Sequence, residues 1–340
     1  MPVSLLLCAM TVAPPPAGPD PDRPAAEAAP AGPAPAETAP AAGFAPPNLT
    51  FPTLGGMQFW GDVAHRAGWR IQRHAVTGHY RLLDDWHLRR AWGDRAACEA
   101  ALTEAIAARN LPRPAGDVVI LLHGMIRSGR CFVRLAADLR AAGFTTVVVD
   151  YPSTRQSLRA SAAMLNEVTD RLLREEDPKA PVRLHFVCHS AGGIVLRAWG
   201  ALQAEDVPVG RSVLLGVPNG GAAMADALRG MPLVGDSLDF LWGAAAAEIS
   251  RGATETLSVL PAPRGTFATI AGCRGVESGY NPLIEGDDDG TVAVSETHLA
   301  GEADHLCVRG AGHSFLMTNA TVRAATVRFL RGGPLREPAA

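Results

Sequence analysis

The sequence predicts an α/β fold built on a mostly parallel, twisted sheet that is flanked by helices. From Asp117 onward, short aliphatic and β-branched runs alternate with longer stretches whose apolar residues recur at helical spacing. This alternation of strand and helix is typical of parallel sheets. Upstream, two alternating segments flank the pair Thr77-Gly78, which indicates an antiparallel hairpin at the N-terminal side of the sheet.

These patterns place the elements in chain order. The hairpin covers residues 69–84, and a helix follows from about Ala96 to Arg109. Strands are predicted at 118–122, 145–150, 183–188, 212–217, 266–272 and 305–310. Helices are predicted at 131–143, 157–176 and 191–203, and a last one from about Ser314 to Arg331.

Composition shifts divide the chain into parts. The apolar start predicts a signal peptide or a short apolar tip, so an exported protein (periplasm or cell envelope) and a cytoplasmic one are both open. Of the 34 residues from Pro14 to Pro47, 24 are Ala or Pro, a composition that predicts a disordered linker. In order, the parts are the tip (1–13), the linker (14–50), an N-terminal extension (51–115), the α/β domain (116–331) and a tail (332–340).

Charge, cysteine usage and hydropathy exclude several classes of protein. The 340 residues carry 31 basic and 34 acidic side chains, so no basic excess indicates a nucleic-acid partner. The six cysteines are too few for a disulfide framework, and none lies in a CxxC pair, which argues against a structural zinc module. No apolar run reaches the roughly 18 residues that a membrane-spanning helix needs.

The strongest chemical signal is Ser190, which stands where a predicted strand runs directly into a helix. A serine in such a sharp turn is presented above the sheet as a nucleophile, and small residues two positions away on either side let the turn close. Gly192 keeps the second small position of the pattern G-x-S-x-G, while Cys188 occupies the first. The alternative is a serine that only caps the following helix.

A second signal, His123-Gly124, ends the first predicted parallel strand. In acyl-transfer sites, the backbone N–H after such a turn faces the developing oxyanion, together with the N–H that follows the nucleophile. The predicted donors are therefore Met125 and Ala191, and Gly124 allows close approach. The alternative is a tight turn that only ends a strand.

Two further loops complete a predicted triad. Asp289 lies in the acidic run that follows the fifth parallel strand, and His313 lies in the Gly-rich loop after the last strand. The chain order serine, aspartate, histidine is the order of one hydrolase fold and differs from those of chymotrypsin and subtilisin. The carboxylates of Asp287, Asp288 and Asp289 also leave a Ca²⁺ site open, because hard cations favour oxygen ligands.

Together, these motifs resemble the esterase/lipase group of the α/β-hydrolase superfamily over residues 116–330. LLHGM resembles the oxyanion strand of that family, CHSAGG its nucleophile turn, and GVPNGG (216–221) the G-x-P-x-x-G turn of bacterial lipases. DDDGTVAVSET and GAGHS resemble the family's acid and base loops. The resemblance implies hydrolysis of carboxylic esters through an acyl-enzyme on Ser190, with no organic cofactor and no metal.

The substrate is expected to be a small-molecule or lipid ester. A small helical cap is predicted at about 219–264, and its residues Phe240 and Trp242, with Phe315 after the base loop, are predicted to line an acyl groove. Ordinary core packing is the alternative for the cap. Two other functions stay open: an acyltransferase that uses the same triad, and a catalytically silent binding protein with the hydrolase fold.

Overall fold

The computed structural model of the protein describes residues 58–203, 206–221 and 257–337, which all belong to one compact unit. The predicted tip, the linker and most of the predicted cap lie outside these residues. No helix in the described ranges is long and apolar enough to cross a membrane.

The N-terminal part is a four-stranded antiparallel sheet, wider than the predicted hairpin. Its strands pair in sequence order and are β1 (Trp60–Arg66), β2 (Trp69–His74), β3 (Tyr80–Leu83) and β4 (Arg89–Gly93). The predicted hairpin is confirmed as the pair of β2 and β3. The prediction missed β1 because Asp62 and His65 are buried there and interrupt the apolar alternation that indicates a strand.

The central sheet has six strands, all parallel, and confirms the predicted strand set. The strands are β5 (Asp117–Leu122), β6 (Thr145–Val149), β7 (Arg183–His189), β8 (Val209–Leu215), β9 (Thr266–Cys273) and β10 (Asp304–Arg309). Their order across the sheet is β10-β9-β8-β7-β5-β6. Because the strands are parallel, the loops that carry the predicted site residues all leave the same edge of this sheet.

The helices in the described residues also follow the prediction, with two differences: a four-residue helix, Val294–Thr297, was not predicted, and the last predicted helix is divided. They are α1 (Arg95–Arg109), α2 (Val133–Ala141), α3 (Leu158–Arg174), α4 (Ala191–Gly200), α5 (Val294–Thr297) and α6 (Ala320–Leu330). The predicted last helix from Ser314 is divided into a 3₁₀ turn, His313–Thr318, and α6. Asn319 causes the division, because its side chain accepts a hydrogen bond from the backbone N–H of Val322 and begins α6 there.

The core lies on both faces of the central sheet. Alternate residues of β5 face opposite sides: Ile120 packs in the cluster that includes Leu165 of α3, and Leu121 packs in the cluster that includes Leu135 of α2. Both faces of the strand are buried, which explains why its sequence is continuously apolar. The four-stranded sheet joins the central sheet through two hydrogen bonds. The N–H of Asp62 donates to Asp150 O, and the N–H of Asp150 donates to Asp62 Oδ2.

Candidate active site

Ser190 occupies the strained turn that joins β7 to α4. Its backbone angles are φ 53° and ψ −128°, outside the regions that residues with a side chain favour. The turn is held by the N–H of Ser190, which donates to Leu215 O at 2.9 Å, and by its carbonyl, which accepts from the N–H of Gly193 at 2.9 Å. Such strain costs on the order of 1–3 kcal/mol and persists where the surroundings enforce it.

The two small positions beside Ser190 behave differently. A Cβ on Gly192 would lie 2.5 Å from Leu122 O, so this position requires glycine. Cys188, at the position where the pattern has its first glycine, is fully buried in the core between β5 and β8. Burial raises the pKa of its thiol well above the ordinary value, so the side chain stays protonated and acts as a small apolar residue.

The predicted oxyanion donors lie at turns on two neighbouring strands. A Cβ on Gly124 would lie 2.9 Å from Ser190 Cβ, so the absence of a side chain lets the two loops meet. The backbone N–H groups of Met125 and Ala191 donate to none of the residues that the structure describes. Unpaired donors beside a nucleophile are the arrangement that an oxyanion hole requires.

The loop after Gly124 is held by residues that the sequence analysis missed. Ile126 has φ 57°, and its N–H donates to Ser153 Oγ at 3.1 Å. Ser153 Oγ in turn donates to Gln58 Oε1 at 3.0 Å, and Gln58 Nε2 donates to Arg127 O at 3.0 Å. No local signal could have revealed this chain of contacts, because Gln58 and Ser153 are 95 residues apart.

His123 holds the same loop through hydrogen bonds of its ring nitrogens. Its Nδ1–H donates to Gly124 O at 2.8 Å, and its Nε2 accepts from the N–H of Tyr151 at 3.3 Å, so the contacts fit a neutral ring. Burial lowers the pKa of His123, opposed in part by Asp150, which agrees with that protonation state. These contacts show that the His123 ring holds the loop at Gly124.

Asp289 and His313 form a buried pair across two loops. His313 Nδ1–H donates to Asp289 Oδ2 at 2.8 Å, and the N–H of His313 donates to Asp289 O at 2.8 Å. The other carboxylate oxygen accepts from the N–H groups of Thr291 and Val292, at 3.0 and 2.8 Å. The Asp289 side chain is 1% exposed and that of His313 11%, so the carboxylate is buried and the imidazole keeps a small exposed surface.

The two other aspartates of the acidic run hold the loop itself. Asp287 accepts hydrogen bonds from the N–H groups of Arg274 and Gly275, and Asp288 accepts from those of Tyr280, Asn281 and Gly290. A Ca²⁺ ion would have to displace these donors, because they use the oxygens that would serve as its ligands. The contacts therefore favour a structural role for both side chains.

His189 links the nucleophile turn to the histidine loop. Its Nε2–H donates to His313 O at 3.0 Å, and the two ring centroids are 4.7 Å apart. Burial, assisted by the neighbouring His313, lowers the pKa of His189 well below its ordinary value, so the ring is neutral. The residue before Ser190 thus joins the turn at Ser190 to the loop of His313, a role that the sequence analysis did not assign.

The remaining predicted residues divide into two groups. Phe315 lies in the 3₁₀ turn that starts at His313, and 68% of it is exposed. Phe240 and Trp242 lie outside the described residues.

In the GVPNGG turn, Gly216 has φ 55°, and a Cβ there would approach Asp289 Oδ2 to 3.1 Å and His313 Nδ1 to 3.2 Å.

A disulfide, Cys273–Cys307, joins β9 to β10 beside the acidic loop. The sequence analysis did not predict this bond. Cys273 is the last residue of β9, and the next two N–H groups donate to Asp287. The disulfide therefore connects the strands from which the loops of Asp289 and His313 leave the sheet.

Known proteins share this arrangement of strands and helices. A model of the family described as "Alpha/beta hydrolase family" matches residues 119–326. The mature form of the lipase BlEst2 from Bacillus licheniformis is similar, with 18% identity and a TM-score of 0.50 over 64% of this chain and 94% of that chain. The propeptide form matches with 20% identity and a TM-score of 0.52 over 67% of this chain and 53% of that chain. No curated protein sequence matches.

Proposed function

The chain belongs to the α/β hydrolase family, as its motifs predicted, and we propose that it hydrolyses carboxylic esters through an acyl-enzyme on Ser190. One observation carries this proposal. The Asp289–His313 pair, formed by residues 24 positions apart, lies beside the strained turn at Ser190, where His189 Nε2–H donates to His313 O at 3.0 Å. A carboxylate that orients an imidazole next to a serine is the arrangement that activates a hydroxyl for acyl transfer.

The proposed reaction begins with attack of Ser190 Oγ on the ester carbonyl carbon. His313 Nε2 accepts the hydroxyl proton, and Asp289 holds the ring through Nδ1 and stabilises the imidazolium. The carbonyl oxygen, now negative, accepts hydrogen bonds from the N–H groups of Met125 and Ala191. The proton then passes from His313 to the leaving alcohol, and the acyl group stays on Ser190.

Water completes the cycle from the same position. His313 accepts a proton from the water, which attacks the acyl carbon, and then donates it to Ser190 Oγ as the bond between that oxygen and the acyl carbon breaks, so the carboxylic acid and the free serine are released. If another alcohol takes the place of water, the same residues transfer the acyl group to it. The two activities therefore differ in the acceptor and share Ser190, Asp289 and His313.

A fluorophosphonate probe with Ser190→Ala tests the assignment. We expect the probe to label the wild type at Ser190 alone, and the variant to lose both labelling and hydrolysis of p-nitrophenyl acetate. Ser278→Ala is the matched control, because Ser278 is exposed and outside the proposed machinery, and it should label like the wild type. Unlabelled wild-type protein that is folded would support the silent binding protein instead.

Product analysis separates the hydrolase from the acyltransferase. With excess glycerol or a short alcohol in water, we expect free acid as the main product. A transferred ester as the main product, lost in Ser190→Ala, would instead identify an acyltransferase.

The acyl groove is proposed to involve Phe315 together with Phe240 and Trp242. Each buried methylene contributes about 0.8 kcal/mol, so kcat/KM should rise about fourfold for each carbon that the groove holds. The test compares p-nitrophenyl esters from acetyl to palmitoyl in the wild type and in Phe315→Ala, Phe240→Ala and Trp242→Ala. A steady decline from acetyl upward in all four proteins would contradict the groove.

The disulfide bears on where the protein acts. Disulfides persist mainly in oxidising compartments, so Cys273–Cys307 favours the exported alternative over the cytoplasmic one. Thiol counting on protein isolated from cell fractions tests this proposal.

A further inference from the structure

Two histidines and a glutamate meet at β10, the outermost strand of the central sheet, and in the segment that leads into it from α5. His298 Nδ1–H donates to Glu302 Oε1 at 2.6 Å, and the ring of His298 stacks on that of His305 with centroids 3.8 Å apart. One ligand atom from each of the three side chains lies within 4.8 Å of the other two. The sequence analysis did not single out these residues.

His305 is held in one protonation state by a chain of hydrogen bonds. It is the register partner of Thr269 on β9, and the Thr269 hydroxyl donates to Glu302 Oε2. Because the single O–H of that hydroxyl is donated to Glu302, its oxygen accepts from His305 Nδ1–H, at 2.7 Å. The lone pair of the neutral ring is therefore on Nε2, and that buried atom has no hydrogen-bond partner among the residues that the structure describes.

This arrangement is the one that a metal-binding histidine needs. A ligating imidazole almost always donates its other N–H to an oxygen, which fixes the tautomer and turns the lone pair toward the ion. Thr269 supplies that oxygen, and Thr269 is itself fully buried, so the orientation of His305 is set by the sheet. An orphaned buried nitrogen otherwise carries a desolvation cost, which a bound cation would remove.

We propose that His298, Glu302 and His305 bind one Zn²⁺ ion. Two imidazoles and one carboxylate are typical zinc ligands, and they leave a fourth tetrahedral position for water. Ca²⁺ and Mg²⁺ fit less well, because they favour sets made only of oxygen. The side chain of His298 is half exposed and can rotate, so it closes the site when its bond to Glu302 is replaced by a shared ion.

The location gives the ion a structural role. Thr269 stands four residues before Cys273, the end of β9, which is about 13 Å along the strand at roughly 3.3 Å per residue. The ion would connect the segment after the Asp289 loop to the strand that precedes His313. We therefore expect Zn²⁺ to raise the Tm and to leave kcat nearly unchanged.

Metal binding to the untagged, full-length protein tests the proposal, with no thiol reductant so that Cys273 and Cys307 stay joined. Equilibrium dialysis against Zn²⁺ should give one ion per chain that the variant His298→Gln/His305→Gln lacks or holds at least about tenfold more weakly. Co²⁺ in place of Zn²⁺ should show the visible absorption of a four- or five-coordinate ion. EDTA should reverse the rise in Tm.

The matched control is His79→Gln. His74 and His79 also stack, at 5.1 Å between centroids, but they do not belong to a three-ligand cluster in the described residues. This control should bind Zn²⁺ like the wild type. Wild-type protein without a bound ion, or equal binding in the double variant, would overturn the proposal.

Thr269→Val separates a metal site from a chance cluster, even if the double variant folds poorly. Valine keeps the shape of threonine and removes the hydroxyl that orients both His305 and Glu302. Loss of such a supporting group typically weakens metal affinity about 10- to 100-fold. Unchanged Zn²⁺ affinity in Thr269→Val would contradict the role assigned to His305.

Discussion

Two buried aspartates in this protein each hold a histidine ring at nearly the same distance. Asp289 Oδ2 is 2.8 Å from His313 Nδ1, and Asp62 Oδ2 is 2.9 Å from His65 Nε2. Both carboxylates are almost completely buried, and both imidazoles are mostly buried. The pairs nevertheless occupy different environments, and we assign them different tasks.

The Asp62 pair is surrounded by further polar partners. Gln72 Nε2 donates to Asp62 Oδ1 at 2.7 Å, the N–H of Asp150 donates to Oδ2 at 2.7 Å, and Arg70 lies 3.9 Å away. His65 is only three residues from Asp62, on the same strand. This pair therefore belongs to a network of hydrogen bonds and charges between the two sheets.

The Asp289 pair is less enclosed, and its histidine comes from a distant loop. His313 stands at the sheet edge where Ser190 is presented, beside His189. A buried carboxylate–imidazole contact therefore does not by itself identify a catalytic pair. The position of the ring relative to a strained serine turn is what distinguishes Asp289 from Asp62.

Asp289→Asn should give the largest effect on activity. The amide cannot hold the imidazole in the required tautomer or stabilise its cation, so we expect kcat to fall about 10⁴-fold, the loss typical of this substitution in a serine protease triad. The Tm should change little, because the amide oxygen still accepts from Thr291 and Val292. Steady-state hydrolysis and thermal melting measure both quantities, and an activity loss below about tenfold would contradict the triad.

Asp62→Asn should show the opposite pattern. Removing one partner from a buried ion pair costs about 3–5 kcal/mol, so the free energy of unfolding should fall by that amount. The kcat of the folded variant should stay within about tenfold of the wild type. Asp85→Asn is the control, because Asp85 is exposed, and surface changes usually stay within about 0.5 kcal/mol. Urea unfolding measures all three proteins.

Asp287→Asn and Asp288→Asn test whether the acid loop uses one carboxylate for catalysis and two for support. Weaker hydrogen bonds to the loop N–H groups should lower the free energy of unfolding by about 1–3 kcal/mol. The kcat should fall far less than in Asp289→Asn. If either variant loses as much activity as Asp289→Asn, the acid residue has been assigned to the wrong position.

The pH dependence of stability sharpens the comparison further. Burial raises the pKa of Asp62, but attraction to His65 and Arg70 and the hydrogen bonds outweigh it, so the pKa lies below the ordinary 3.8. The ionised carboxylate therefore stabilises the folded state fully above pH 3.8, and this contribution is lost as the pH falls through the lowered value. The stability gap between wild type and Asp62→Asn should therefore shrink as the pH falls below 3.8. A gap that grows on acidification would reverse the sign.

Local patterns were sufficient for most of the central sheet. Each parallel strand is buried on both faces, so its apolar run is continuous and readable from a few residues. The polar strand β1 was missed because Asp62 is buried with partners outside that strand, Gln72 and Asp150, and His65 is buried against Asp62. Ile126 likewise gave no signal in the sequence, since the Ser153 and Gln58 side chains that hold its loop come from distant segments.

The sequence by itself determined the α/β class, the strand-to-helix turn at Ser190, and the chain order of serine, aspartate and histidine. Each of these depends only on short local patterns and on their order along the chain. Only the tertiary structure decided how the three adjacent aspartates divide their contacts, with Asp289 meeting His313 while Asp287 and Asp288 meet backbone N–H groups. Chemically identical side chains are distinguished only by which partners the folded loops bring within hydrogen-bond distance. The same is true of His298, Glu302 and His305, which Thr269 of another strand arranges into one cluster.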